Sequence, residues 1–159
     1  MTDSDLRELV PGLVNASCPL PDVLAGGQPS PQHVESLARG GIRTVLDTRG
    51  TGEPRGFDEP AAVRAAGMEY VALPVGHGGI PDETFDRFRE LMGDPGRRPV
   101  LVHCASGNRV GALMLPYLLL DEGREPEEAL ELAVGCGLRS RELADVAFDY
   151  ARRHGAAGE

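Results

Sequence analysis

Residues 100–111 decide the fold, and they read VLVHCASGNRVG. The apolar run Val100, Leu101 and Val102 predicts a strand that is buried on both faces. Gly107 permits a positive φ where the chain reverses, and the pattern is helical from Arg109 onward. The stretch therefore predicts a strand, a tight loop and a helix, the unit from which parallel α/β sheets are built.

Strand and helix patterns alternate along the rest of the chain, with Ser30 as a helix cap before Pro31. This alternation predicts a single α/β domain over residues 1–154, with a mainly parallel sheet flanked by helices, and a frayed tail at 155–159. We predict strands over 23–25, 42–48, 70–75 and 99–104. We predict helices over 5–10, after Ser30, over 60–66, from Pro81, from Arg109, and over 126–134 and 141–153.

Composition excludes several classes of function. The chain has 159 residues, all 16 of its basic residues are arginine, and its net charge is -9. The absence of lysine excludes a P-loop or Schiff-base lysine, and the acidic balance argues against nucleic-acid or membrane partners. The odd number of cysteines and the acidic first ten residues predict a reduced, cytoplasmic protein without a signal peptide. We expect no cofactor and no metal.

The loop after the buried strand carries the chemistry. Cys104 ends the strand, and Arg109 can hold an oxyanion through two parallel hydrogen bonds. Backbone N–H groups in such a turn form an anion nest, and a helix N-terminus adds partial positive charge. This field favours the thiolate of Cys104, which is the nucleophilic form. The predicted anion loop consists of Ala105, Ser106, Gly107 and Asn108.

Two further loops should reach the same edge of the sheet, because ligands bind at the carboxyl ends of parallel strands. One loop carries Arg49, either as a second cation for the ligand or as an exposed arginine paired with Glu53. The other carries His77, either as an acid or base near neutral pH or as an ordinary exposed histidine. Asp82 can serve as a displaced general acid, but Pro81-Asp82-Glu83 is also typical of a helix start.

The segment His103-Cys104-Ala-Ser-Gly107-Asn-Arg109 resembles the cysteine-dependent, tyrosine-phosphatase-like superfamily. The chain is most similar to the phosphatase-like domain family named for beta-lactamase-hydrolase-like proteins, also at Gly26-Gly27-Gln28-Pro29 and at 45–49 and 73–75. The resemblance implies a compact α/β domain with Cys104 as nucleophile and Arg109 as anion binder. It also implies that His103 orients the loop.

Three departures from the phosphatase pattern bear on the reaction. Four residues rather than five separate Cys104 from Arg109, Val110 stands where a serine or threonine is usual, and no carboxylate follows Val75 until Asp82. A persulfide mechanism needs neither a large cradle nor a leaving-group acid. The sequence therefore favours, narrowly, a sulfurtransferase that passes sulfur from thiosulfate or a persulfide through Cys104 to a small thiol.

Two alternatives remain open. One is a phosphatase that forms a phosphocysteine on a small or protein phosphomonoester. The other is a catalytically silent module that binds phosphorylated or sulfonated ligands. Cys136, in Gly-Cys-Gly, can resolve an oxidised Cys104 or simply pack between helices, and Cys18 is interpreted as structural.

Overall fold

The computed structural model describes residues 2–76 and 79–155 and contains one five-stranded sheet. The strands are β1 Ser17–Leu20, β2 Val23–Gly26, β3 Thr44–Asp47, β4 Glu69–Ala72 and β5 Val100–His103. They lie in the order β1-β2-β5-β3-β4. Only the β1–β2 pair is antiparallel among these strands. The predicted mainly parallel α/β architecture is confirmed.

Seven helices accompany the strands within the described residues, together with a 3-10 turn at Pro95–Arg97. They are α1 Asp3–Leu9, α2 Pro31–Arg39, α3 Glu59–Ala65, α4 Asp82–Met92, α5 Asn108–Leu120, α6 Pro126–Cys136 and α7 Arg141–Arg153. In this part of the chain, no helix combines the length and the apolar character needed to cross a bilayer.

Each face of the sheet packs against its own hydrophobic core. Val23, Ala25 and Leu46 belong to the core that includes buried side chains of α4 to α7. Leu24 and Val45 belong to the core that includes buried side chains of α1 to α3. Consecutive strand residues thus serve opposite cores, as the pleat of a strand requires when both faces are covered.

Local signals explain most of the elements. Ser30 caps α2, because its Oγ accepts the N–H of His33, and Pro31 occupies the first helical position as predicted. The strand β1 was missed, since it contains Pro19 and gains its place by antiparallel pairing with β2. The domain limit at residue 154 stays a prediction, and residues 156–159 of the expected tail lie outside the described residues.

Candidate active site

The loop between β5 and α5 surrounds the sulfur of Cys104, a residue that is 1% exposed. The Gly107 N–H donates to Cys104 Sγ at 3.0 Å. Gly107 caps α5 with φ 99°, and a Cβ there would lie 2.1 Å from the carbonyl oxygen of Cys136. Both the left-handed backbone and the close approach require glycine at this position.

A cavity of about 650 Å³ opens in front of this loop. Five of the residues predicted for the site line it together with residues of the β4–α4 connection and of α7. Gly107 does not line it. The lining residues are Gly76, Gly79, Cys104, Ala105, Ser106, Asn108, Arg109, Ser140, Glu142, Leu143 and Val146.

Arg109 is held by an ion pair that the sequence did not assign. Its Nη1 and Nη2 donate to the two carboxylate oxygens of Glu53 at 2.5 and 3.0 Å, and Nη1 also donates to the Val75 carbonyl at 2.9 Å. The hydrogen bond from Arg109 holds the pKa of Glu53 far below its usual range, and Glu53 in turn raises the pKa of Arg109. Three of the five guanidinium N–H groups are thereby engaged.

Arg49 pairs with Glu53, as one of its two predicted alternatives has it, but it is not exposed. Its Nε donates to Glu53 at 3.1 Å, and its Nη1 donates to the side-chain oxygen of Gln28 at 3.0 Å. Arg49 does not line the cavity, so its expected role as a second cation for the ligand is not what the structure favours. Contrary to the expected exposed pair, its side chain is only 13% exposed.

The outer carbonyls of the cysteine loop are bonded to neighbouring segments. The Ala105 oxygen accepts the Gln28 N–H at 3.1 Å, and the Ser106 oxygen accepts the side-chain amide of Asn15 at 2.6 Å. The side-chain oxygen of Asn108 accepts the N–H groups of Arg139 and Ser140 at 2.8 and 3.1 Å. The side-chain oxygen of Asn108 therefore ties the cysteine loop to the segment at the start of α7.

A buried polar cluster is formed by Asp47, Glu59 and His103, which are fully buried, together with the half-buried Arg55 and Tyr70; Asp47 and His103 end β3 and β5. His103 Nε2 lies 2.5 Å from Glu59 Oε2, and Nδ1 lies 3.3 Å from the Cys104 carbonyl oxygen. The Asp47 carboxylate accepts from Arg55 Nε and from the Tyr70 hydroxyl, each at 2.6 Å. Through His103, this cluster is tied directly to the cysteine loop, an arrangement that fits the loop-orienting role predicted for that residue.

Asp47, Glu59 and His103 place possible ligand atoms within 4.8 Å of one another. Their oxygens are already engaged, because Asp47 also accepts the Arg49 N–H and Glu59 also accepts the Gln28 side-chain amide. A cation at this position would have to displace these donors. The three residues fit a hydrogen-bonded cluster better than an ion site, and the absence of a metal stays a prediction.

Several predicted candidates lie away from the cavity or outside the described residues. His77 is outside the described residues. Asp82 begins α4 and pairs with Arg153 at 2.7 Å, which supports the helix-start interpretation. Cys136 is buried at the end of α6, and Cys18 is half-buried in β1.

Sequence reasoning missed the residues that hold the loop from a distance. The sequence pattern links Glu53 only to Arg49, and only the Gly-Gly-Gln-Pro segment points to Gln28. Nothing in the sequence points to Asn15, with φ 53°, or to Glu142. The packing of distant segments places these residues at the site, and no pattern of neighbouring residues indicates it.

A cysteine at the end of a parallel strand, a glycine-turned loop and an arginine at the following helix are the features by which this site resembles the tyrosine-phosphatase-like superfamily. The chain belongs to the family described as DSP-PTPase phosphatase fused to NAD+ kinase, which matches residues 21–149. The resemblance found in the sequence is thereby confirmed.

Known relatives agree with this assignment. A beta-lactamase hydrolase-like protein of Xylella fastidiosa (strain Temecula1) is 35% identical over 111 residues, which are 66% of this chain and 25% of that protein. The matched part thus spans about a quarter of that relative.

Two solved structures share the fold. A variant of P. aeruginosa TpbA in complex with pTyr has a TM-score of 0.68 and 24% identity, covering 91% of this chain and 87% of that one. The core catalytic domain of the S. cerevisiae PP-IP phosphatase Siw14, in complex with citrate, has a TM-score of 0.74 and 16% identity, covering 89% and 88%.

Proposed function

We propose that the protein is a cysteine-dependent phosphatase that hydrolyses phosphate monoesters through a phosphocysteine at Cys104. The observation that carries the proposal is the placement of Cys104 and Arg109 on one cavity, with the Gly107 N–H on the sulfur. The family match and the pTyr complex of TpbA support this reaction over sulfur transfer, which the sequence alone favoured.

Arg109 is prepared to bind an anion. Glu53 and the Val75 carbonyl take three of its N–H groups, which leaves the Nε–H and one Nη2–H. These two groups lie on one edge of the planar guanidinium, the arrangement that holds two oxygens of a phosphoryl group. Glu53 thus fixes the orientation of Arg109 while it leaves the binding edge open.

The reaction proceeds in two balanced steps. The Cys104 thiolate attacks phosphorus, the P–S bond forms, and the P–O bond to the leaving group breaks while that oxygen takes a proton. Water then attacks phosphorus, the P–S bond breaks, and phosphate and the thiolate are released. The Gly107 N–H at 3.0 Å stabilises the departing thiolate, a task for which Val110, fully buried, has no hydroxyl.

Sulfur transfer is retained as a second candidate because the four-residue spacing and Val110 favour it. In this reaction, Cys104 attacks the outer sulfur of thiosulfate, an S–S bond forms, and sulfite leaves with the electron pair of the broken bond. A small thiolate then attacks the outer sulfur of the persulfide, a new S–S bond forms, and the bond to Cys104 breaks with its electron pair left on the Cys104 thiolate. No general acid is needed in either step.

One side-by-side assay separates the candidates. Hydrolysis of p-nitrophenyl phosphate and thiosulfate-to-cyanide transfer are measured for the wild type, for Cys104→Ser, and for Cys18→Ser as the matched control. We expect phosphate release that falls on the order of 10⁴-fold in Cys104→Ser and is unchanged in Cys18→Ser. Cys104-dependent thiocyanate without phosphate release would establish sulfur transfer instead, and phosphate binding without either turnover would establish the silent module.

A further inference from the structure

We infer that Glu142 is the general acid of the proposed phosphatase, donating the proton that the leaving oxygen takes when the P–O bond breaks. The inference rests on the proposed function. Glu142 lies in the first turn of α7 and lines the same cavity as Cys104 and Arg109. It supplies the carboxylate that the sequence does not provide in the connection after Val75.

The carboxylate that contacts Arg109 is committed to other interactions. Glu53 receives hydrogen bonds from Arg109, Arg49 and the Gly50 N–H, and the Arg109 bond keeps its pKa far below the usual range. A carboxylate that stays ionised in this way cannot donate a proton. Glu53 therefore orients the arginine and does not serve as the acid.

The positions of the other carboxylates exclude them as the general acid. Asp82 pairs with Arg153, whose hydrogen bond lowers the pKa of that carboxyl, and it does not line the cavity. Asp47 and Glu59 are fully buried in the polar cluster. Among the residues that the structure describes, Glu142 is the carboxylate that lines the cavity, and no described residue pairs with it.

The turn that precedes Glu142 is hydrogen-bonded to the cysteine loop. Asn108 accepts the N–H groups of Arg139 and Ser140, and the Ser140 hydroxyl oxygen accepts the Leu143 N–H at 3.1 Å. A residue of the anion loop thus fixes the turn from which α7 starts. Gly137 reinforces this contact, because a Cβ there would lie 2.9 Å from the backbone of Gly107.

The same face of α7 offers a surface for the leaving group. Leu143 and Val146 line the cavity as Glu142 does, and Val146 lies four residues after Glu142, a spacing that places two side chains on one helix face. An aromatic or aliphatic leaving group that packs on these side chains would bring its ester oxygen towards Glu142. In the second step, the Glu142 carboxylate accepts a proton from the attacking water, which restores the acid.

The test compares Glu142→Gln with Asp145→Asn, which changes an exposed carboxylate on the same helix that does not line the cavity. Phenyl phosphate and p-nitrophenyl phosphate serve as substrates, because nitrophenolate departs without a proton and phenolate does not. We expect Glu142→Gln to lower kcat/KM on phenyl phosphate by about 10²-fold or more and to change kcat/KM on p-nitrophenyl phosphate much less, because kcat/KM reports the first step and not the dephosphorylation that both substrates share. Asp145→Asn should leave both rates unchanged.

Substituted phenyl phosphates give an independent measure. The decline of kcat/KM with rising pKa of the leaving phenol should steepen in Glu142→Gln and stay as in the wild type in Asp145→Asn. Equal losses on both substrates, or none, would overturn the role of Glu142 while leaving the phosphatase intact. A leaving-group-selective loss in His77→Gln, with Glu142→Gln unaffected, would assign the acid to His77 instead. If the wild type hydrolyses neither substrate, the proposed function fails and the inference with it.

Discussion

The cavity in front of the cysteine loop and the buried polar cluster beside it use the same residue types in opposite ways. In the cluster, the side chains of Asp47, Glu59 and His103 are fully buried and hydrogen-bonded to one another or to Arg55 and Tyr70. At the cavity, Arg109 keeps one edge of its guanidinium open. A buried charged group is costly unless the protein satisfies all of its hydrogen bonds. A group that binds a ligand must instead keep some of its hydrogen-bonding groups available for that ligand.

The comparison predicts that changes in the cluster lower stability and changes at the cavity lower activity. Glu59→Ala should have the largest effect, because it leaves His103 and Gln28 without their buried partner. We expect the free energy of unfolding to fall by about 3–5 kcal/mol in chemical denaturation. Glu35→Ala, at an exposed position on α2, is the control and should change stability by no more than about 0.5 kcal/mol. Equal effects would show that the cluster contributes little.

Arg109→Lys tests the cavity side of the comparison. Lysine keeps the charge but loses the planar fork, so it cannot hold Glu53 and a phosphoryl group at once. We expect kcat/KM for an aryl phosphate to fall by about 10²–10³-fold, measured by steady-state kinetics. The exposed Arg141→Lys should behave like the wild type. Activity close to wild type in Arg109→Lys would mean that this arginine serves structure alone.

Gly107→Ala should lower both stability and activity, since this glycine shapes the loop and packs on the end of α6. Its φ of 99° and the 2.1 Å approach to the Cys136 oxygen force the backbone to move. We expect a loss of about 1–3 kcal/mol in thermal or chemical unfolding, with loss of activity. Gly135→Ala is the matched control, because no atom lies within 4 Å of its Cβ and it sits in a helix. It should be neutral or stabilising by up to about 1 kcal/mol.

Tyr70→Phe is the mildest probe of the cluster. Burial raises the pKa of Asp47, but the hydrogen bonds from Arg55 and Tyr70 and the charge of His103 bring it below the usual value. Asp47 therefore contributes stability above its unfolded pKa of about 3.9, and this is lost as pH falls through the folded pKa.

We expect Tyr70→Phe to cost about 1 kcal/mol at neutral pH, as measured by chemical denaturation at several pH values. The difference from the wild type should shrink in acid, where Asp47 is protonated in both proteins. Activity should be unchanged, because Tyr70 does not line the cavity. A difference that grows towards acid would contradict this account.

The sequence by itself determined the local features. The apolar run before Cys104, the glycine at the reversal and the serine cap before Pro31 depend on neighbours a few residues away. For that reason, the sequence alone predicts the cysteine loop, the parallel α/β architecture and the helix α7. These signals act through backbone dihedral angles and through hydrogen bonds between residues a few positions apart. They can therefore be recognised from the sequence alone.

Only the tertiary structure decided which charges meet. Arg49 and Arg55 lie in the same polar loop of the sequence, yet one donates to Gln28 and the other enters the buried cluster. Arg109 and Glu53 are 56 positions apart, and Glu142 reaches the cavity from the last helix. Ion pairs depend on distance in space and on the burial of both partners, so their assignment had to await the packing of the helices on the sheet.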